Sequence, residues 1–101
     1  MGEIKAYLYT VGDDNKLNVR AGTFIPGHQR WAKQGRFTPN KGRWCFVSNE
    51  PGKMHYRKLW LPERDDERAM ALYIKYHEDR IEEFERNIET HKRAITALKE
   101  V

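Results

Sequence analysis

Between Asn15 and Asn49 the chain carries no acidic residue, yet it holds Lys16, Arg20, Arg30, Lys33, Arg36, Lys41 and Arg43. Trp31, Phe37 and Trp44 are interleaved with them. Cationic side chains neutralise phosphates and flat rings stack on bases, so this mixture is the chemistry of nucleotide or single-strand binding. The densest part, Pro26 to Gly42, reads as a long loop punctuated by Gly27, Gly35 and Pro39, with one short helical turn through His28–Gln34. A connection of that length in a small domain is functional or disordered, and its large aromatics argue against disorder. The candidate ligand contacts are Arg30, Trp31, Lys33, Arg36, Phe37, Lys41 and Arg43, with the cations on phosphate and the rings on bases. Trp31 and Phe37, flanked by cations, fit either core or ligand contact, whereas Trp44 sits in a strand pattern and reads as core.

Other chemistries find little support. His28 and His55 have the right side chains for acid–base cleavage of RNA, but no fixed spacing ties them together. There is no phosphate-binding loop, zinc signature, nucleophile elbow or paired-carboxylate pattern. No catalytic residue, metal site or cofactor is therefore expected, and the reading is a non-enzymatic binder. Cys45 is the single cysteine, which rules out an intrachain disulfide and fits a reducing, cytoplasmic setting. No apolar run approaches the length needed to span a bilayer, so no membrane partner is expected. Met1-Gly2 opens like a myristoylation signal, but Ala6 stands where that signal needs Ser or Thr.

The elements that would position these residues follow from periodicity. Residues 3–11 alternate as a strand with Ile4, Ala6 and Leu8 on one face, and Gly12–Asn15 is a turn cluster. Lys16 to Ile25 alternates again, with Leu17, Val19 and Ala21 inward, Asn18 and Arg20 outward, and a bulge at Gly22. Arg43–Ser48 and Met54–Leu61 form a second hairpin around Asn49-Glu50-Pro51-Gly52, whose Pro-Gly centre suits a type II turn. Trp44, Phe46, Tyr56 and Trp60 would share one face of that hairpin. The expected fold class is α+β: a four-stranded antiparallel sheet, β-β-loop-β-β, followed by one long C-terminal helix.

That helix is read from Leu61 to Leu98, with Pro62 in its first turn and Glu63, Asp65, Asp66 and Glu67 at the positive end of its dipole. Met70, Ile74, His77, Ile81, Phe84, Ile88, His91, Ile95 and Leu98 then repeat at four-three spacing without a slip. Every a position is isoleucine, which is a coiled-coil pattern. These nine residues are the candidate oligomer interface. His77 and His91, two heptads apart, are polar seam positions rather than metal neighbours. Leu72, Tyr73 and Tyr76 widen the stripe near the start, where the helix is expected to cover its own sheet as well as meet a partner. Parallel and antiparallel pairing, and higher oligomers, all remain open. The chain thus divides into a β module, residues 1–61, and a helix, residues 62–101. Charge follows the same boundary: eleven basic against four acidic side chains give +7 in the first part, and eight against eleven give −3 in the second. A basic head on an acidic assembling helix points to an anionic partner.

The aromatic hairpins run through Leu59-Trp60-Leu61-Pro62-Glu63 and Asp66-Glu67-Arg68-Ala69 into an isoleucine-rich helix. This layout resembles small accessory proteins of phages and prophages of Gram-positive bacteria, among them anti-CRISPR proteins and sponges that sequester cyclic nucleotide immune signals. The resemblance covers layout and no diagnostic motif, so it transfers no binding residue. It implies a counter-defence role in a host cytoplasm. The reading is an oligomeric binder of a nucleotide or other phosphate-bearing ligand, a sponge in its most concrete form. The alternatives are an anti-CRISPR-type inhibitor acting on a host defence protein, or a small DNA- or RNA-binding protein.

Overall fold

The computed structural model describes residues 3–27 and 33–100 of the chain. Five strands precede one helix: β1 (Ile4–Val11), β2 (Leu17–Ile25), β3 (Gln34–Pro39), β4 (Cys45–Ser48), β5 (Lys58–Leu61) and α1 (Asp66–Lys99). The class is α+β, as the sequence predicts, but with five strands instead of four. The additional strand, β3, lies in the stretch read as a loop. Its Gly35 and Pro39 look like breakers, yet Gln34–Pro39 ladders with β2 on one side and β4 on the other. The expected helical turn through His28–Gln34 falls mostly outside the described residues, and its last residue opens β3.

The sheet order is β4-β3-β2-β1-β5, antiparallel throughout. The second hairpin expected from the sequence does not form, because β4 pairs with β3 and β5 pairs with β1. The Pro51-Gly52 turn between them does exist, with Gly52 at φ 75 as a type II turn requires. The two edge strands approach each other where the Trp60 Nε1–H donates to the Ser48 carbonyl at 2.7 Å. The sheet is therefore curled, with an inner and an outer face.

Residues directly opposite in an antiparallel ladder point to the same face, so the register assigns the faces. Ala6, Leu8, Phe24, Phe37, Val47 and Trp60 pack together on the inner one. Phe24 and Trp60 stack there with ring centroids 4.0 Å apart. Gly22 and Gly35 make that possible. A Cβ on Gly35 would stand 2.6 Å from Phe24 Cε1, and one on Gly22 would collide with the Thr38 carbonyl and the Phe37 ring. Gly22 is thus a close-approach position in an unbroken ladder, not the expected bulge.

This face assignment reverses the expected polarity of β2. Leu17, Val19 and Ala21 pair with Val11, Tyr9 and Tyr7, on the side away from the core, whereas Asn18 and Arg20 share the side of Gly22 and Phe24. The expected aromatic face of Trp44, Phe46, Tyr56 and Trp60 is also corrected: Trp60 is buried, while Trp44 is 49% and Phe46 44% exposed. Trp44 is therefore not core.

On the outer face Tyr9, Leu59 and Leu61 are buried, and the start of α1 is tied to them. The Tyr9 hydroxyl donates to Asp66 Oδ1 at 2.9 Å and accepts from the Asp65 N–H at 2.9 Å. Asp65 caps the helix, its Oδ1 accepting from the Arg68 N–H at 3.0 Å. The helix therefore starts four residues after Pro62, not with it. Asp66 and Glu67 do place negative charge in the first turn. The chain divides into two compact units, Met1–Ala71 and Leu72–Val101, so the first includes the opening of the helix with its fully buried Ala69.

Two side chains in the first turns of the helix have displaced titrations. Hydrogen bonds from Arg64 and from Tyr9 hold the Asp66 carboxyl below its ordinary value of 3.8. Its contribution is complete above that value and is lost as pH falls through the lower folded one. Burial pushes the Tyr73 hydroxyl up from 10.0 to about 12. Its contribution is complete below 10.0 and is lost as pH rises toward about 12. Melting temperature against pH is expected to plateau between these limits. Asp66→Asn should flatten the acid limb, and Tyr73→Phe the alkaline one.

Candidate anion-binding site

The inner face is apolar at its centre and turns polar toward one open end. There the ladder aligns Arg20, Leu8 and Trp60 in one cross-strand row, and Asn18, Thr10 and Lys58 in the next. Arg43, Cys45 and Pro39 join them from β3, β4 and the connection between the two. Together with Val19, all of these residues except Trp60 line a cavity of about 490 Å³. Its base is Leu8 and its wall carries three cations, Arg20, Arg43 and Lys58. No lining residue is acidic, and among the described residues none of the three cations has a carboxylate within ion-pair distance. Thr10 and Asn18 add neutral hydrogen-bonding groups. Gly42, at φ 116, borders Arg20: a Cβ there would be 4.0 Å from its Nη1.

The chemistry of this lining suits an anion. Two guanidinium forks present planar pairs of N–H groups that match phosphate or carboxylate oxygens, and Lys58 adds a point charge. The volume falls within the range of small-ligand sites.

The expected contacts divide among several places. Arg30 and Trp31 lie outside the described residues. Arg43 lines the cavity, and Lys41 is exposed in the adjacent β3–β4 connection. Lys33 is exposed just ahead of β3. Arg36 is on the outer face of β3, where its guanidinium lies 5.1 Å from the centre of the Trp44 ring. Trp44 in turn meets Phe46 edge to face at 4.9 Å. Phe37 is fully buried in the core and cannot touch a ligand, which corrects its place among the candidates. Strand geometry is the reason: Arg36 and Phe37 are neighbours in β3 and so must face opposite ways. Arg20, Lys58, Thr10 and Asn18 were not among the sequence candidates. The signal for the two on β2 lay in Gly22 and Phe24, which share the parity of Asn18 and Arg20.

In the second unit, described by itself, the a-position residues Ile74, Ile81, Ile88 and Ile95 are all more than half exposed, as are Phe84 and Leu98. Ion pairs along the helix link Lys75 to Asp79 at 3.7 Å and Arg93 to Glu89 at 3.5 Å. Among the described residues, no cluster of His, Cys, Asp and Glu is placed to hold a metal ion, and no helix is long and apolar enough to cross a membrane. No protein-family model, curated protein or solved structure matches the chain.

Proposed function

We propose that this protein is a non-enzymatic, self-associating binder of a phosphate-bearing ligand. The observation that carries the reading is the cavity at the open end of the sheet, walled by Arg20, Arg43 and Lys58 with no carboxylate among its lining residues. The helix supplies the assembly. A stripe of isoleucines at heptad a positions loses roughly 1.5–3 kcal/mol per side chain when left in water instead of buried. A second copy of the same stripe is the partner of matching period, which makes a coiled coil. Oligomeric display of anion sites suits sequestration, and a sponge for a cyclic nucleotide signal is the most concrete form of this function.

The test is a melting-temperature screen of the full chain against ADP, cyclic dinucleotides and pyrophosphate. A true ligand raises the transition in proportion to the logarithm of its free concentration above Kd. The absence of a shift from any of them would sink the reading. A second reading, single-stranded nucleic-acid binding, is favoured by the exposed Trp44, Phe46 and Arg36 cluster on the outer face. It predicts oligonucleotide binding that weakens steeply with salt.

A further inference from the structure

The segment leading into β5 contains a strained turn. The His55 N–H donates to the Lys58 carbonyl at 2.8 Å, and the Lys58 N–H to the His55 carbonyl at 2.9 Å, closing a two-residue turn. Its central residues, Tyr56 and Arg57, have φ values of 47 and 65. Positive φ at both central positions is the type I′ geometry, which favours Asn-Gly. A bulky tyrosine there is an outlier that costs stability. The fold does not recover that cost by burying the ring. Tyr56 is 85% exposed, the most open of the large hydrophobic side chains among the described residues. His55 meets it edge-on at 4.6 Å, which steadies the ring and leaves it accessible.

The position of this turn gives the ring a use. Lys58 closes the turn and is also one of the three cations in the cavity wall. Tyr56 is two residues away, no more than about 7 Å along the backbone. The cavity lining itself contains no aromatic residue. The wall can thus hold phosphate but offers nothing flat to a base.

We infer that Tyr56 is the base-stacking residue of the anion site, and that the ligand is a nucleotide whose phosphate sits among Arg20, Arg43 and Lys58 while its base lies on the Tyr56 ring. This rests on the proposed phosphate-binding reading and adds the ligand's other half. The strained turn is then retained for the ring it carries, since asparagine would fit the backbone better.

The experiment compares ADP with pyrophosphate, which share a diphosphate and differ by the nucleoside, by calorimetry on the full chain. The unaltered protein should bind ADP about tenfold more tightly than pyrophosphate, at the lower part of the range for base stacking on an aromatic side chain. Tyr56→Asn should raise the melting temperature by a few degrees and bring the two affinities together by weakening ADP alone. Tyr56→Phe should keep the preference. Trp44→Ala, on the outer face, should leave it unchanged. Equal binding of ADP and pyrophosphate by the unaltered protein overturns the role of Tyr56 and leaves the phosphate site standing, whereas binding of neither overturns both. A Tyr56→Asn protein that keeps the preference, or is less stable, overturns the inference, as does loss of the preference in Trp44→Ala.

Discussion

A chain carrying Arg20→Glu and Arg43→Glu is expected to bind pyrophosphate about a thousandfold more weakly than the unaltered protein. Each guanidinium supplies charge-assisted hydrogen bonds worth about 1.5–3 kcal/mol, so losing two removes roughly two to four orders of magnitude. Two carboxylates in their place add repulsion of the ligand. The fold should survive, because both side chains are exposed at the open end and neither belongs to the packed cluster of the inner face. Calorimetry measures the affinity, and an unchanged melting temperature without ligand shows that the sheet is intact. Arg36→Glu is the informative comparison. Arg36 has the same charge and lies in the same acid-free stretch, but it is on the outer face over Trp44. Equal losses from Arg36→Glu and from the double reversal would place the anion elsewhere.

The second large effect concerns the helix. Ile81→Asp with Ile88→Asp is expected to convert an oligomer into a monomer at concentrations where the unaltered chain is fully associated. Every subunit of a dimer would lose two buried isoleucines, each worth roughly 1.5–3 kcal/mol, and would gain two buried carboxylates that cannot pair. Sedimentation equilibrium reads the mass directly. Glu82→Ala with Glu89→Ala changes two helix residues outside the a/d stripe and should leave the mass unchanged. A monomeric unaltered chain, or a double variant of undiminished mass, would end the coiled-coil reading.

The sequence made some of this architecture legible and concealed the rest for physical reasons. β1 and the body of α1 lie where their periodicities put them, because each carries an unbroken apolar repeat. Pro62 is a plausible first-turn residue, so the sequence points to an earlier helix start than Asp66. The real start is set by a tertiary contact, Tyr9 with Asp65 and Asp66, that periodicity cannot express. In β2, two parities compete. Leu17, Val19 and Ala21 form the obvious apolar stripe, but Gly22 and Phe24 occupy the core. Arg20 follows the second parity and so lines the cavity, where the first would turn it to solvent. β3 was hidden by its glycine and proline, residues that usually interrupt strands. Here Gly35 provides clearance for Phe24, and Pro39 ends the strand. The cation excess of the front half, and the acid-free stretch between Asn15 and Asn49, are legible in the sequence. Which cations converge was decided by the curl of the sheet.

The pairing of β1 with both β2 and β5 also has a consequence for how the chain reaches this state. β1 and β2 are adjacent in sequence and can zip together locally, but Leu8 and Tyr9 are not covered until Trp60 and Leu59 arrive from the far end of the module. Sheets completed by such distant pairings form slowly, because a long loop must close before its contacts help. During synthesis β1 is therefore finished only after β5 has been made. Until β5 docks, its aromatic and aliphatic side chains stay open to misplaced partners.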